Sequence, residues 1–511
     1  MASTSSHFFR DPQAVLDDIN YQFQLEPSTL IRLAKAFLEE FRLGLSNYGQ
    51  PMAMIPTFVT GVPDGTETGT FLALDLGGTN LRVCEVVLNG DKTFSLRQQK
   101  YKVSDTLKTG EASVLFDYLA DSVDAFLTTH SNDSVPSSGD SPDVLPLGLT
   151  FSFPVEQTAL NSGKILTWTK GFAAKHAIGN DVVQLLQDAF DRKHMHVKCV
   201  ALVNDTVGAL LSRSYTSGGC MLGSIFGTGT NGAYVEKVTS ITKLGNSPAV
   251  ANGGVMVVNT EWGAFNNSRS HLPSTPYDNT LDRQSINPTF QAFEKFISGM
   301  YLGEVTRHVL LSLIDAAPKP ILFGGKSTAS LNKQWGIDTS VMSDVETARE
   351  SSTHTSENPT PKFSDFQDDK LDEKTKAKLQ AIRSVVISRL GYEESDVCLR
   401  DAAIVKWVCT LVARRAALLS GVAVAAVLLQ TDRASFADAP TNGVHDNSDE
   451  HFKVGVDGSL VEFYPHFEKI MRESMRCIVG ADVEKRVEIG MAKDGSGVGA
   501  ALCALQAIKQ Q

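Results

Sequence analysis

The sequence predicts an α/β protein of two or more domains, and three observations support this fold class. Short apolar segments alternate along the chain with longer segments of helical periodicity. A strand, glycine turn and strand pattern occurs twice, at residues 72–86 and 221–238, as expected for a duplicated domain. The length of 511 residues is enough for more than one large hydrophobic core.

The first of these segments, LALDLGGTNLRVCEV at residues 72–86, contains an apolar strand, Asp75 near its end, a polar turn and a second apolar strand. The turn consists of Gly77, Gly78, Thr79 and Asn80. Adjacent glycines allow positive φ and close approach to the backbone, and exposed amides with a threonine hydroxyl suit a phosphate oxygen. The Asp75 carboxylate is suited to face a metal ion or its waters. A plain hairpin is the alternative interpretation.

The second segment, MLGSIFGTGTNGAYVEKV at residues 221–238, repeats this arrangement. Its turn contains Gly227, Thr228 and Gly229, again between two apolar strands. Two such turns facing one cleft are suited to hold a polyphosphate from both sides, so the repeat favours phosphate binding over a plain hairpin.

Composition limits the classes of function. Lys and Arg total 47 and Asp and Glu total 58, a net charge of −11 that argues against nucleic acid as a main partner. The seven cysteines form no CxxC pair, so we expect reduced thiols in a cytoplasmic protein, without a zinc site or a disulfide framework. No signal peptide is predicted. The most apolar segment, residues 416–429, is too short to span a bilayer and is typical of a buried helix.

The other elements follow in order along the chain. Helical periodicity predicts helices at residues 27–45, 109–130, 181–192, 206–214, 294–313 and 400–430. Apolar runs predict buried strands at residues 145–153 and 198–203, and residues 487–508 are typical of a strand, a glycine turn and a helix. Polar residues predict surface loops at 131–143 and 346–376, to which no chemistry is assigned.

The two glycine turns resemble the two phosphate loops of the hexokinase family, within the superfamily of sugar kinases, actin and chaperone ATPases. Six further segments resemble the family in the same order: LGLTFSFP (147–154), LNSGKILTWTKGF (160–172), VNDT (203–206), NTEWGAF (259–265), FEKFISGMYLGE (293–304) and VGVDGSLVEFYP (454–465). The resemblance runs from about residue 50 to the C-terminus. It implies a two-domain sugar kinase/actin-like ATPase fold with a cleft between a small domain (70–206 plus 486–511) and a large domain (1–69 plus 207–485).

The resemblance also implies the catalytic and sugar-binding residues. Asp205 would be the general base, because a carboxylate with an ordinary pKa of ~3.9 is ionised at neutral pH and can accept the proton of a sugar hydroxyl. An aspartate before a helix is also a good N-cap, and one oxygen cannot fully serve both roles. Lys170 would lie near the transferred phosphoryl group, where it would contact substrate and offset charge on its oxygens. The other implied sugar ligands are Ser152, Phe153, Thr169, Asn204, Asn231, Glu261 and Glu294.

For ATP, the resemblance implies residues from three segments and one weaker match. They are Gly77, Gly78, Thr79, Asn80 and Arg82 at the first turn, Gly227, Thr228 and Gly229 at the second, Gly455, Asp457, Gly458 and Ser459 beside the adenosine, and Thr339. Mg²⁺ would be held mainly by ATP oxygens and water, with Asp75 behind the waters, since this ion loses its waters reluctantly.

The implied activity is ATP-dependent phosphorylation of glucose at the 6-hydroxyl, which gives glucose 6-phosphate in the first step of glycolysis. PMAMIPTFVTGVPDGTETG and GTGTNGAY look most like the fungal glucokinases of the family. A broad-specificity hexokinase that also accepts related hexoses is the first alternative. A catalytically idle sugar sensor is the second, and the presence of Asp205, Lys170 and both glycine turns argues against it.

Overall fold

The computed structural model describes residues 11–78, 80–130, 144–169, 171–251, 253–348, 359–366, 371–439 and 450–510. Within these ranges the strands are β1 (Ile55–Pro56), β2 (Thr68–Leu76), β3 (Asn80–Asn89), β4 (Phe94–Lys102), β5 (Leu145–Phe151), β6 (Val155–Ala159), β7 (Ser162–Ile165), β8 (Val197–Val203), β9 (Leu222–Phe226), β10 (Thr230–Lys237), β11 (Val255–Asn259), β12 (Phe452–Asp457) and β13 (Val487–Met491).

In the same ranges the helices are α1 (Pro12–Phe23), α2 (Pro27–Ser46), α3 (Asp105–Thr109), α4 (Ala112–His130), α5 (Val182–Arg192), α6 (Asp205–Ser217), α7 (Pro248–Ala251), α8 (Pro276–Gln284), α9 (Ala292–Ile297), α10 (Gly299–Ile314), α11 (Ala329–Asn332), α12 (Thr339–Thr347), α13 (Glu373–Leu390), α14 (Leu399–Gln430), α15 (Ser459–Phe463), α16 (Phe467–Val479), α17 (Ala481–Lys485) and α18 (Gly495–Lys509). The predicted loop at 131–143 lies outside the described residues, as do 349–358 and 367–370 of the predicted loop at 346–376.

A five-stranded sheet with the order β4-β3-β2-β5-β8 forms the first half of the fold. β2 and β3 are the antiparallel pair predicted around the first glycine turn, whereas β5 and β8 join in parallel. A parallel join requires a crossover connection, and α4 and α5 supply these connections with their apolar faces packed on the sheet. The predicted α/β layering is therefore confirmed here.

A six-stranded sheet with the order β1-β11-β10-β9-β12-β13 forms the second half. β9 and β10 are the antiparallel pair predicted around the second glycine turn, and β12 pairs with β9 in parallel. The predicted small-domain segment 486–511 begins with β13, which pairs with β12 of this second sheet. The domain boundaries stay a prediction.

α6 and α18 share a hydrophobic cluster that takes side chains from both sheets, such as Ala73 of β2 and Ala233 of β10. The two helices approach very closely, because a Cβ on Gly499 would lie 2.2 Å from the Cα of Gly208. α18 also presses on β5, where a Cβ on Gly148 would lie 2.2 Å from the carbonyl oxygen of Ala500. Only glycine fits at these contacts, so they fix the two helices behind the sheet ends that carry the glycine turns.

α14 is the long buried helix that the apolar run predicts. It is long and apolar enough to cross a membrane, but 94% of its most apolar stretch of 18 residues is buried inside the protein. α2, α13 and α16 pack around it in the largest hydrophobic cluster of the described residues. Its Arg415 is fully buried and forms two hydrogen bonds of 2.7 Å to the Asp278 carboxylate on α8. α14 is therefore the core helix of this half.

Candidate active site

The first glycine turn closes the β2–β3 hairpin. The amide of Gly77 donates to the carbonyl of Asn80 at 3.1 Å. Gly77 does not adopt a positive φ, and a Cβ there would make an ordinary contact of 3.5 Å, so the conformational freedom expected of this glycine is not used. Asp75 is 4% exposed and accepts from Arg82 Nη2 at 2.7 Å and Nε at 3.0 Å. Thr79, the predicted hydroxyl of this turn, lies outside the described residues.

The second glycine turn is held by the start of a helix. The carbonyls of Gly227 and Thr228 accept from the amides of Gly299 at 2.7 Å and Met300 at 3.2 Å. These amides begin α10, and they are available because Ser298 has an extended backbone with ψ 152°. The single helix predicted at 294–313 is therefore wrong: it is two helices, α9 and α10, with the break at the turn they support.

Thr339 lies behind this support. Its hydroxyl donates to the carbonyl of Gly299 at 2.6 Å and accepts from the amide of Gly303 at 3.2 Å. The hydroxyl thus ties the start of α12 to the first turn of α10, which in turn binds the glycine turn at 227–229. A direct contact of Thr339 with ATP stays a prediction.

The predicted adenosine segment lies against the second turn. Gly458 has φ 117°, and a Cβ there would lie 2.4 Å from the carbonyl oxygen of Phe226. Glycine is required at this position both by conformation and by space. Asp457 accepts from the Gly458 amide at 2.7 Å, while Gly455 lies within β12 and Ser459 begins α15.

Charged residues of both sheets meet at Asp457. Burial raises the pKa of this carboxyl, the hydrogen bond from the Gly458 amide opposes that shift, and the negative charge of Asp205 adds to it. Arg82, from the first sheet, lowers the same pKa. The charges of Asp205 and Arg82 therefore act on Asp457, and the grouping of the first turn, the predicted base and the adenosine segment in one site stays a prediction.

Asp205 and Asn204 follow β8 at the start of α6. Asn204 is the N-cap, since its Oδ1 accepts from the amide of Thr206 at 3.0 Å and from its hydroxyl at 2.6 Å. Asp205 is the first helical residue, and its Oδ1 accepts from the same amide at 2.9 Å. The capping role considered for Asp205 thus belongs to Asn204. Among the described residues no donor contacts Oδ2 of Asp205, which is the oxygen suited to accept a proton.

Asn231 and Glu261, predicted sugar ligands 30 residues apart, share a hydrogen-bond network. Glu261 Oε1 accepts from Asn259 Nδ2 at 2.8 Å and from Asn231 Nδ2 at 3.4 Å. Asn231 Nδ2 also donates to Asn259 Oδ1 at 2.8 Å. Asn259 is 3% exposed and was missed as a site residue. Asn259 is part of the NTEWGAF segment, but only the pairing of β10 with β11 shows that it lies beside Asn231 as well as Glu261.

Glu294 lies on α9 and contacts the second glycine turn directly. Its Oε2 accepts from the amide of Thr230 at 3.0 Å. A Cβ on Gly229 would lie 2.7 Å from the same oxygen, so glycine is needed there for the carboxylate to approach. A predicted sugar ligand and a predicted phosphate turn are therefore in contact, which the sequence did not indicate.

The remaining sugar candidates lie at the edge of the first sheet. Ser152 and Phe153 follow β5, and Phe153 packs against Trp168 and Phe172 with ring centroids 5.0 and 4.9 Å apart. Phe153 is 2% exposed, and its contact with a sugar stays a prediction. Trp168 Nε1 donates to the carbonyl of Ala174 at 3.0 Å and holds the loop that carries Thr169. Lys170 lies outside the described residues.

Comparison with known proteins identifies the family. Two family models described as hexokinase match residues 15–215 and 221–506. The chain is 42% identical to a glucokinase of Aspergillus niger and 38% identical to hexokinase-2 of Schizosaccharomyces pombe, and each match covers 98% of both chains. A solved structure, the hexokinase from Schistosoma mansoni complexed with glucose, has a TM-score of 0.78 at 32% identity and covers 97% of this chain and 99% of that one. The chain belongs to the hexokinase family of sugar-phosphorylating kinases.

Proposed function

We propose that this protein transfers the γ-phosphoryl group of ATP to the 6-hydroxyl of glucose, giving glucose 6-phosphate. One observation carries the proposal beyond family membership. The Glu294 carboxylate accepts from the Thr230 amide, directly after the second glycine turn. A sugar bound by Glu294 and a phosphate bound by that turn would therefore be neighbours, as phosphoryl transfer requires.

Asp205 is the proposed general base. Asp205 is the first residue of α6, and the Thr206 amide holds its Oδ1. Oδ2 of Asp205 would accept the proton of the sugar 6-hydroxyl while the hydroxyl oxygen bonds to the γ-phosphorus of ATP. At the same time the bond between the γ-phosphorus and the ADP oxygen would break. Lys170 would offset the charge that develops on the transferred group.

Sugar recognition would use carboxylates and amides that the fold holds in place. Glu261 is held by amide hydrogen bonds from Asn231 and Asn259, which fix the direction in which its carboxylate would accept from sugar hydroxyls. Asn204 uses its carbonyl oxygen as the helix cap, which leaves its amide nitrogen to donate. Ser152, Phe153 and Thr169 would complete the site from the loops beside the first sheet.

ATP and Mg²⁺ are the proposed co-substrate and its ion. The first turn would contribute Gly77, Gly78, Thr79, Asn80 and Arg82, and the second turn Gly227, Thr228 and Gly229. Among the described residues no group of three His, Cys, Asp or Glu side chains is arranged to hold a metal ion by itself. The raised pKa of Asp457, caused by burial and by the charge of Asp205, nevertheless fits a site that receives a cation. Bound through ATP oxygens and water, with Asp75 behind the waters, Mg²⁺ would neutralise phosphate charge.

Substrate range and location are further parts of the proposal. A glucokinase is supported by the similarity to the Aspergillus niger protein, and a broad-specificity hexokinase by the similarity to hexokinase-2 of Schizosaccharomyces pombe. Equal kcat/KM for glucose, fructose and mannose would favour the second. A cytoplasmic location is supported by the cysteines, all seven of which are free thiols.

A coupled assay for ADP with glucose and ATP tests the activity, and Asp205 tests the mechanism. Asp205→Asn keeps an oxygen for the Thr206 amide but removes the base, so kcat should fall by ~10²–10⁴-fold. Asp181→Asn is the matched control, because Asp181 caps α5 in the same half and accepts from Val183 and Gln184 amides. Absence of glucose-dependent ADP formation would support the sugar-sensor alternative. A folded Asp205→Asn protein that keeps more than about a tenth of kcat would exclude Asp205 as the base.

A further inference from the structure

A cluster of buried charges lies behind the short helix that carries Glu294. We call it the α8–α9 charge cluster, and it consists of Arg269, Asp278, Asp282, Lys295 and Arg415. Lys295 and Asp282 are each 4% exposed and Arg415 is 1% exposed. Three positive and two negative side chains give the cluster one excess positive charge. Even paired buried charges add little net stability, because the loss of hydration offsets their attraction, so the cluster raises the question of another role.

Asp282 is the centre of this cluster. Its carboxylate accepts from Lys295 Nζ at 2.8 Å, from Arg269 Nη2 at 3.1 Å and from the amide of Thr289 at 3.1 Å. Lys295 Nζ also donates to the carbonyl of Asn287 at 2.6 Å. These partners belong to four segments: α8, the turn at 266–272, the loop at 285–291 and α9. One carboxylate on α8 therefore joins α9 to the turn and the loop on either side of α8.

α9 depends on such support because it cannot stabilise itself. It has six residues, and its N-cap Gln291 has φ 53° and no capping side-chain hydrogen bond. An isolated helix of this length is not stable in water. Its first amide, of Ala292, donates instead to Asn267 Oδ1 at 3.0 Å, in the turn that follows Glu261. The direction in which Glu294 points is consequently set by other parts of the chain.

Lys295 is the residue next to Glu294, and the two side chains interact electrostatically. Burial lowers the pKa of Lys295, while its hydrogen bond to Asp282 and the charges of Asp282 and Glu294 oppose that shift. The excess positive charge of the α8–α9 cluster thus lies near the Glu294 carboxylate. The Glu294 carboxylate accepts from the Thr230 amide, and the same carboxylate is the proposed acceptor for a sugar hydroxyl.

We propose that Lys295 and Asp282 are positioning residues of the sugar site. Their buried pair fixes α9 in the orientation in which Glu294 reaches both the second glycine turn and the bound hexose. Neither residue contacts the sugar in this proposal. The inference rests on the proposed role of Glu294 as a sugar ligand, and the test separates the two.

Steady-state kinetics of Lys295→Met and Asp282→Asn test the proposal. Both variants should raise the KM for glucose by about tenfold or more and change the KM for ATP by less than about twofold, since only the sugar glutamate is displaced. Calorimetric titration with glucose in the absence of ATP should show the same loss of affinity. A purely structural pair would lower the unfolding midpoint without separating the two KM values.

The matched control is Glu484→Gln. Glu484 is also 4% exposed and also accepts from two basic side chains, Arg472 at 3.0 Å and Arg476 at 3.0 Å, but in the contact of α16 with α17. Its loss should reduce stability and leave both KM values unchanged. A rise in glucose KM equal to that of Asp282→Asn would overturn the proposal, because any buried pair would then suffice.

Two further variants keep the outcome decisive. If Glu294→Gln leaves the glucose KM unchanged, the proposed role of Glu294 fails. If Glu294→Gln raises it while folded Lys295→Met and Asp282→Asn do not, only the positioning role fails. If both of those variants fail to fold, Arg269→Gln decides, since its side chain is 23% exposed and it removes one of the two cations on Asp282. It should raise the glucose KM by about threefold, and an unchanged value would overturn the inference.

Discussion

Replacing Glu40 with glutamine should make the protein more stable at pH 8 but not at pH 5. Glu40 lies on α2, and its Oε1 accepts from the amide of Asn266 at 3.0 Å. Burial raises the pKa of Glu40 from 4.5 to about 7, although the hydrogen bond from the Asn266 amide acts in the opposite direction. The carboxylate therefore ionises only near neutral pH in the folded protein, whereas in the unfolded chain it ionises at a much lower pH, near 4.5.

The sign of the effect follows from proton binding. Between pH 4.5 and about 7 the folded state holds more protons at Glu40 than the unfolded state does, so stability is highest at low pH and falls as the pH rises to 7. At about 1.4 kcal/mol per pKa unit, the shift corresponds to at most about 3 kcal/mol at pH 8. Glu40 is half-buried, and screening by water reduces this to about 1–2 kcal/mol.

Glu40→Gln keeps an acceptor for the Asn266 amide and cannot ionise, so the pH-dependent loss of stability should disappear. Thermal unfolding of both proteins at pH 5 and pH 8 measures the effect. We expect equal midpoints at pH 5 and a midpoint about 1–2 °C higher for the variant at pH 8. Glu39→Gln is the matched control, since Glu39 is exposed on the same helix. An equal difference at both pH values, or the same gain in Glu39→Gln, would refute the reasoning.

Two further predictions concern the ligand sites. Thr228→Ala should raise the KM for ATP more than the KM for glucose, because the exposed Thr228 hydroxyl is proposed to contact phosphate, whereas the Thr228 carbonyl, which binds Met300, is retained. Thr228→Ser keeps a hydroxyl and should behave as the parent protein. An unchanged KM for ATP in Thr228→Ala would show that the hydroxyl is not part of the site. Saturating glucose without ATP should reduce the radius of gyration in small-angle scattering, since the proposed sugar ligands lie beside both sheets and a sugar held from both sides favours the closed form. Glu261→Gln should need a higher glucose concentration for the same reduction. A scattering curve that glucose leaves unchanged would contradict a two-sided site.

The sequence predicted the two glycine turns, the strands beside them and the long helix α14 because their signals are local. Apolar strands end at Leu76 and Phe226, and a glycine follows each directly. The break at Ser298 was not predicted, because residues 294–313 keep helical periodicity throughout. What ends α9 there is a set of hydrogen bonds to Gly227 and Thr228, which are 70 residues away in the chain. Periodicity contains no information about such tertiary partners.

The helix cap before α6 illustrates the same limit at a single residue. Asn204 and Asp205 are equally good capping residues, so their order in the chain does not decide which of them caps. The structure decides it through the extended backbone of Asn204, at φ −86° and ψ 155°. The consequence is chemical, because the residue that caps has its oxygen occupied. The motif identified the pair of residues, but only the fold divides the capping role from the proposed catalytic one.

Backbone irregularity is concentrated around the predicted sugar glutamates, and this explains why their supporting residues are dispersed. Glu261, Asn266 and Gln291 have φ of 54°, 51° and 53°, a region that costs a non-glycine residue of order 1 kcal/mol or more. Hydrogen bonds to distant parts of the chain hold two of these residues. The amide of Asn266 donates to Glu40, 226 positions away, and the Glu261 carboxylate accepts from Asn231, 30 positions away. The backbone around these glutamates adopts conformations that its local sequence does not favour, so residues distant in the chain must hold it. A short motif can therefore identify a ligand such as Glu261, but not the residues that position it.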